Sequence, residues 1–289
     1  MSMLWWEQHC FWIFQMMTTD VLLIGCGAMG GALLKGWLMN PDLQGPFYVA
    51  TPRRESAAPF LSDTRVRFVE DPANLTTQPR IIVCAVKPSM VATVLPTYVR
   101  LMNGDTLLVS VAAGLPLSFY ARFLPPHAAA VRVMPNLASA VGAGISLMCA
   151  SRVLGPEDQE ILHHLLAATG RVVPLESDDA LEALTPLTGC GPAFLFRFME
   201  ALTRATQALG VDEEVAADLT RALIVGCGPF LEKSPLPVET LRQQVTSPQG
   251  MTWAGLEVFN ENARLDTLVT QVLRASHARA KEMKDAYGS

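Results

Sequence analysis

The sequence predicts an α/β fold, with an N-terminal Rossmann-type doubly wound parallel sheet followed by an all-helical C-terminal dimerisation domain. Three observations carry this. Val21-Leu-Leu-Ile24 runs into Gly25-Cys-Gly-Ala-Met-Gly30, a buried strand meeting a glycine turn and a helix start. Strand-like apolar runs then alternate with helical stretches from Asp20 to about Glu176. From Asp178 onward the apolar residues keep helical spacing and no strand pattern returns. The expected division is 20–176 for dinucleotide binding and 177–289 for the helical part, with 1–19 as an extension outside the fold.

The elements follow in order. After the glycine turn, Leu33, Leu34, Trp37 and Leu38 make a helical apolar stripe, and Phe47–Ala50 is a second short strand. Val66–Val69 is a third. Arg80–Val86 is a buried strand that ends in Lys87-Pro88, where proline suits a helix start. Thr106–Ser110, Ala129–Val133 and Gly144–Cys149 read as further strands, with a helix near Pro156–Thr169. In the helical part, Gly189-Cys-Gly-Pro192 opens a long helix carrying Phe194, Phe198, Leu202 and Leu209 on one face and Arg197, Glu200 and Arg204 on the other. Gly210 stops it and Asp212 caps the next. Further helices run from about Pro237 to Val245, from Thr252 to Asn260, and through Leu265–Leu273 to a basic tail at Arg279, Lys281 and Lys284. Pro229, inside the second of these helices, removes a hydrogen bond and predicts a kink or break near Val225–Pro229. So much apolar helix surface predicts pairing with a second copy.

Composition removes several classes. Half of the residues are hydrophobic and the net charge is −5, so there is no basic footprint for nucleic acid. The six cysteines are scattered without a CxxC pair, which fits a reducing, cytoplasmic setting. The five histidines form no HExxH, and no metal site is expected. His163-His164 are helix neighbours that point to different faces. Met1–Met17 is rich in Trp, Phe and Met but has no Lys or Arg and is too short to span a bilayer, so no membrane partner is expected. Met17 is the more natural beginning.

The chemistry concentrates in a few stretches. In Gly25-x-Gly27-x-x-Gly30 the first glycine permits the turn, the second lets a pyrophosphate approach the backbone, and the third packs helix on strand. Cys26, Ala28 and Met29 lie in the same loop. An NAD site carries an acid about 20 residues further on. Here the second strand ends instead in Thr51-Pro-Arg53-Arg54, and guanidinium forks match a 2′-phosphate, so NADP(H) is expected ahead of NAD(H). Ala85-Val86-Lys87-Pro88 and Ala112-Ala113-Gly114 follow other strands, where open α/β sheets bind ligands. Far down the chain, Ser247-Pro-Gln-Gly250-Met251-Thr252 forms a turn at a helix start, with free backbone amides and one hydroxyl. It suits a carboxylate with a neighbouring nitrogen, or a bare capping turn.

Taken together, these stretches resemble the pyrroline-5-carboxylate reductase family from Thr18 to Met283. The resemblance rests on GCGAMG, Ala85–Pro88, Val111–Gly114, Arg132-Val-Met-Pro-Asn136, Thr188–Ala193 and above all Val245-Thr-Ser-Pro-Gln-Gly-Met-Thr252-Trp-Ala-Gly-Leu256. It implies hydride transfer from NAD(P)H to the C=N carbon of (S)-1-pyrroline-5-carboxylate, giving L-proline. It also implies that Ser247 and the amides around Gly250 and Met251 hold the substrate carboxylate, and that Thr252 is the catalytic contact to the ring nitrogen. The family builds this site at a homodimer interface, and its dimers often assemble into larger rings.

The sequence departs from the family pattern in three places. Leu137-Ala138 follows the MPN block where the family has Thr-Pro, and Gln249 stands where the signature turn has glycine. If that position needs a positive φ, glutamine is strained by about 1 kcal/mol. Gly226-Cys-Gly-Pro229 interrupts a helix that the family leaves unbroken. Two other readings stay open: a β-hydroxyacid dehydrogenase relative and a non-catalytic NADP-binding regulator. The first relies on a lysine of the helical domain, and here Lys233, Lys281 and Lys284 are the only ones after Asp178.

Overall fold

The computed structural model describes residues 20–287, so the expectation about 1–19 lies outside the described residues. Eight strands form one sheet: β1 Val21–Ile24, β2 Phe47–Ala50, β3 Val66–Val69, β4 Ile81–Cys84, β5 Leu107–Ser110, β6 Ala129–Met134, β7 Gly144–Ala150 and β8 Gly170–Pro174. Their order is β3-β2-β1-β4-β5-β6-β7-β8, parallel throughout except for the β6–β7 pair. The helices are α1 Ala28–Met39, α2 Arg54–Ala57, α3 Pro88–Val94, α4 Leu117–Tyr120, α5 Pro156–Ala167, α6 Asp178–Thr188, α7 Gly191–Ala208, α8 Glu213–Lys233, α9 Val238–Gln244, α10 Met251–Asn260 and α11 Arg264–Tyr287.

Strand alternation divides the core. Val21, Leu23, Val49 and Val83 face one layer with Leu33, Leu34 and Trp37 of α1 and Leu162 and Leu166 of α5. Leu22, Ile24, Ile82 and Cys84 face the other, with Val91 of α3 and Phe119 and Tyr120 of α4. Because β1, β2, β4 and β5 are buried on both faces, they read as continuous apolar runs. β8 escapes that reading. Its Arg171 is exposed and its valines are only half-buried, because it closes one edge of the sheet.

The chain divides into two compact units: the residues up to Gly189 together with the chain from Arg279, and Cys190–Ala278. Helix α6 packs on the sheet, where Leu181 meets Leu147 and Cys149 of β7. The last turns of α11 likewise belong with the sheet.

Within the second unit the expected caps and stops are present. Asp212 accepts from the amides of Glu214 and Val215, and Gly210 has φ +89°. Glu200 stands 3.6 Å from Arg204 and 3.7 Å from Arg197. Of the kink or break expected near Val225–Pro229, the break is absent: α8 is one helix with Pro229 inside it. Gly228 accounts for this in part: without a Cβ it removes the clash that a proline ring makes with the residue before it. Few side chains of this unit are buried. Phe196, Leu219, Leu223, Val225 and Leu268 are each more than half exposed, a surface that monomeric proteins rarely leave open.

Candidate active site

In the first unit, register aligns the carboxyl ends of four strands. Ile24 is level with Ala50 and Cys84, and Cys84 with Ser110. The segments that leave this edge, beginning at Gly25, Thr51, Ala85 and Val111, are the ones that carry the candidate cofactor residues. β1 is the point where the strand order reverses direction, the usual location of a ligand crevice.

Gly25 has φ +92°, and its amide donates to Ala50 O at 2.8 Å. A Cβ there would stand 2.9 Å from Ala85 O, and one on Gly30 would overlap the Gly25 carbonyl oxygen. The turn, the first turn of α1 and the Ala85 segment therefore close on one another with no room for a side chain at Gly25 or Gly30. Gly27 differs. It is exposed, nothing lies within 4 Å of a Cβ built on it, and it is the N-cap of α1. No side chain caps that helix and no acid occupies its first turn, so its amides are free for an anion. Ala28 and Met29 form the turn beyond, while Cys26 is buried and burial pushes its thiol above the usual range. This bare cradle fits a dinucleotide pyrophosphate.

Thr51 is half-buried beyond β2. Arg53 and Arg54 are exposed, with the Arg54 guanidinium carbon 4.8 Å over the Phe68 ring of β3. Ala85 and Val86 are half-buried, Lys87 is the exposed N-cap of α3, and Pro88 opens that helix.

The Ala112–Gly114 segment is braced from below. The Ala112 amide donates to Ser110 Oγ at 3.3 Å, and Ser110 Oγ meets the buried Tyr120 hydroxyl at 2.5 Å. Burial pushes that phenol well above its usual range. Leu117 donates its amide to Asp178 Oδ2 at 2.9 Å, and Asp178 in turn pairs with Arg132, only 3% exposed. Arg132 also reaches Glu182 at 3.3 Å, and Lys284 of α11 reaches Asp179 at 2.9 Å and Glu182 at 3.5 Å. Asp179 holds the Lys284 ammonium above its usual range, and burial together with Asp178 pushes the Cys149 thiol up to about 12. Sequence reasoning missed this ionic cluster. Its one signal was a lone arginine inside an apolar strand, which demands buried partners.

Asn136 of the MPN block is buried. It accepts from the Ala138 amide at 3.2 Å and donates to Thr188 O at 3.0 Å, tying the end of β6 to the end of α6.

In the second unit, Gly250 N donates to Ser247 O at 3.0 Å, closing a four-residue turn with Pro248 and Gln249 at its centre. Gln249 has φ +57°, so the position is one where glycine is at ease and glutamine is not. Gly250 is the N-cap of α10, and a Cβ on it would overlap Ser247 Oγ. The serine hydroxyl thus lies against the helix start. Met251 and Thr252 are exposed in the first turn, which has no acid and no side-chain cap. Among the described residues no group of three or more His, Cys, Asp and Glu is placed to hold a metal ion, and no helix is long and apolar enough to cross a membrane.

Comparison with known proteins agrees with this layout. Residues 178–283 match the family model described as pyrroline-5-carboxylate reductase dimerisation, and residues 20–114 match one described as NADP oxidoreductase coenzyme F420-dependent. The pyrroline-5-carboxylate reductase of Methanosarcina acetivorans is 31% identical over 268 residues, covering 90% of this chain and 96% of that protein. The crystal structure of the Coxiella burnetii enzyme superposes with a TM-score of 0.84 at 28% identity, covering 92% of this chain and 99% of that one. That of the Plasmodium falciparum pyrroline carboxylate reductase, with NADP bound, gives a TM-score of 0.79 at 25% identity over 92% and 98% of the two chains. The chain belongs to the pyrroline-5-carboxylate reductase family of NAD(P)-dependent oxidoreductases.

Proposed function

We propose that this reductase acts as a homodimer, takes NADPH in preference to NADH, and works on (S)-1-pyrroline-5-carboxylate in the cytoplasm to give L-proline. The observation that carries the substrate assignment is the Ser247–Thr252 turn, which offers a serine hydroxyl, uncapped amides and a threonine hydroxyl in one place. Bound NADPH supplies the hydride. Ser247 and the Met251 amide hold the substrate carboxylate, while the Gly250 amide, expected to share that task, is taken up by the turn bond to Ser247 O; the helix dipole favours the charge. Thr252 hydrogen-bonds the ring nitrogen and fixes the plane of the C=N bond. The imine nitrogen carries its own proton, so hydride arrival at the carbon completes the secondary amine without a further acid. Positioning and electrostatics then supply most of the acceleration.

On the cofactor side, the Gly25–Gly30 turn receives the pyrophosphate, Ala85–Pro88 and Ala112–Gly114 line the same sheet edge, and Thr51, Arg53 and Arg54 take the 2′-phosphate. The large exposed apolar side chains of the second unit support the homodimer, and the free thiols of Cys26, Cys84, Cys149, Cys190 and Cys227 support a reducing compartment.

The test follows NADPH absorbance with pyrroline-5-carboxylate as substrate. Wild type consumes NADPH, and Thr252→Val lowers kcat/KM by about 10- to 100-fold, the worth of one hydrogen bond to a charged group. A wild type that leaves NADPH unchanged overturns the activity. Unchanged turnover in the variant removes only the role given to Thr252.

A further inference from the structure

Gly114, with φ +78°, has no side chain of its own with which to anchor its loop, and Met283 from α11 fills the space. A Cβ on Gly114 would lie 3.0 Å from Met283 Cβ. The next residue, Lys284, reaches across to α6, with Nζ 2.9 Å from Asp179 and 3.5 Å from Glu182. Glu182 also faces Arg132, whose other partner Asp178 accepts from the Leu117 amide. The loop after β5 is therefore gripped at Gly114 by the end of α11 and at Leu117 by α6, and one ionic chain joins the two grips.

We infer that Lys284 is a positioning residue for the reductase: by seating Met283 on Gly114 it holds the Ala112–Gly114 segment in the shape that receives the cofactor. The inference rests on the reading of that segment as part of the cofactor site. Lysine suits the task because its long apolar stem crosses from one helix to the other while its ammonium answers two carboxylates. Without it, Asp179 loses its ammonium partner, Glu182 is left with Arg132, and the end of α11 loses its ionic tie to α6.

The test uses the full-length enzyme and the variants Lys284→Met, which keeps most of the stem, and Lys284→Arg, which keeps the charge. Hydrogen exchange in the cofactor-free protein should speed up for the Val111–Leu117 peptide of Lys284→Met while peptides covering β1 and β4 keep wild-type rates. NADPH titrated by fluorescence should bind about two- to fivefold more weakly, the scale of a partly exposed ion pair. KM for the imine should hold, and Lys284→Arg should recover both readouts. Asp179→Asn, at an exposed position, should act in the same direction if Lys284→Met folds poorly. Wild-type exchange and wild-type NADPH affinity in both Lys284→Met and Asp179→Asn overturn the inference, as does exchange that rises equally across the sheet. A loop that loosens while NADPH affinity holds overturns the cofactor reading of Ala112–Gly114 and the positioning role with it.

Discussion

Gly30 packs so closely on Gly25 that a methyl group on its α-carbon would overlap the Gly25 carbonyl oxygen. Gly27, two residues after Gly25, has nothing within 4 Å of the same added atom. The glycines of one motif thus serve different ends, one internal packing and the other access from outside.

Gly30→Ala and Gly27→Ala should separate those ends. Overpacking at Gly30 should cost about 1–3 kcal/mol and lower Tm by several degrees. Gly27→Ala should stay close to wild-type Tm, losing only a modest N-cap preference, yet bind NADPH about tenfold more weakly, because on the proposed cofactor reading its methyl lies in the path of the pyrophosphate. Thermal melts and NADPH titration check both. A normal Tm for Gly30→Ala would contradict the packing argument.

Arg54 lies over Phe68, so its guanidinium is held before any phosphate arrives. Arg53→Ala and Arg54→Ala should each raise KM for NADPH about tenfold, the worth of a charge-assisted contact, and leave KM for NADH nearly unchanged. Phe68→Leu should reproduce part of the Arg54 effect, about two- to fourfold, by releasing the cation from the ring. Steady-state kinetics with both cofactors decides this, and equal losses with NADH would overturn it.

The strain at Gln249 gives a stability prediction. A left-handed backbone costs glutamine about 1–2 kcal/mol, and glycine returns that strain less about 0.5–1 kcal/mol of extra chain entropy. Gln249→Gly should raise Tm by about 1–3 °C at fixed protein concentration, whereas Gln249→Ala, strained in the same way, should give no gain. An equal rise in both variants would show that the backbone angle is not the cause.

Arg65 draws the end of α1 together with the chain entering β3. It donates to the carbonyls of Leu38, Asn40 and Leu43 and pairs with Asp63 at 2.8 Å. Arg65→Lys cannot reproduce that fork and should destabilise by about 1–3 kcal/mol. The Arg65 hydrogen bond holds the Asp63 carboxyl below its ordinary value of 3.8. A depressed carboxylate stabilises the fold above its ordinary value and loses that contribution as pH falls through the lowered one. Asp63→Asn should therefore melt below wild type at pH 7, and the gap should close as the pH is taken below 3.8. A gap that stays constant into acid would contradict the pairing.

Much of this was legible from sequence, for physical reasons that also mark the limit. Strands buried on both faces, such as Val21–Ile24 and Ile81–Cys84, announce themselves as apolar runs. The Ser247–Thr252 turn is local, and its need for a positive φ at Gln249 could be stated in advance as a condition. Edge strand β8 could not be read, because an exposed arginine and half-buried valines give no run. Nor could the continuity of α8 through Pro229, which a proline inside a helix argues against. The cluster at Arg132 joins β6, α6 and the end of α11, and no local pattern connects residues so far apart.

The return of α11 to the first unit also sets an order in time. A chain leaves the ribosome from its N-terminus, and domains generally fold as they emerge. Here the sheet and α6 are made first, and Met283 and Lys284 appear only after the whole of Cys190–Ala278. The nascent nucleotide-binding unit therefore waits, with the loop after β5 supported on one side only, until translation has finished the whole helical segment. A chain stopped short of Arg279 should fold its sheet and keep that loop loose, so the loop after β5 tightens only once the whole second unit has been translated.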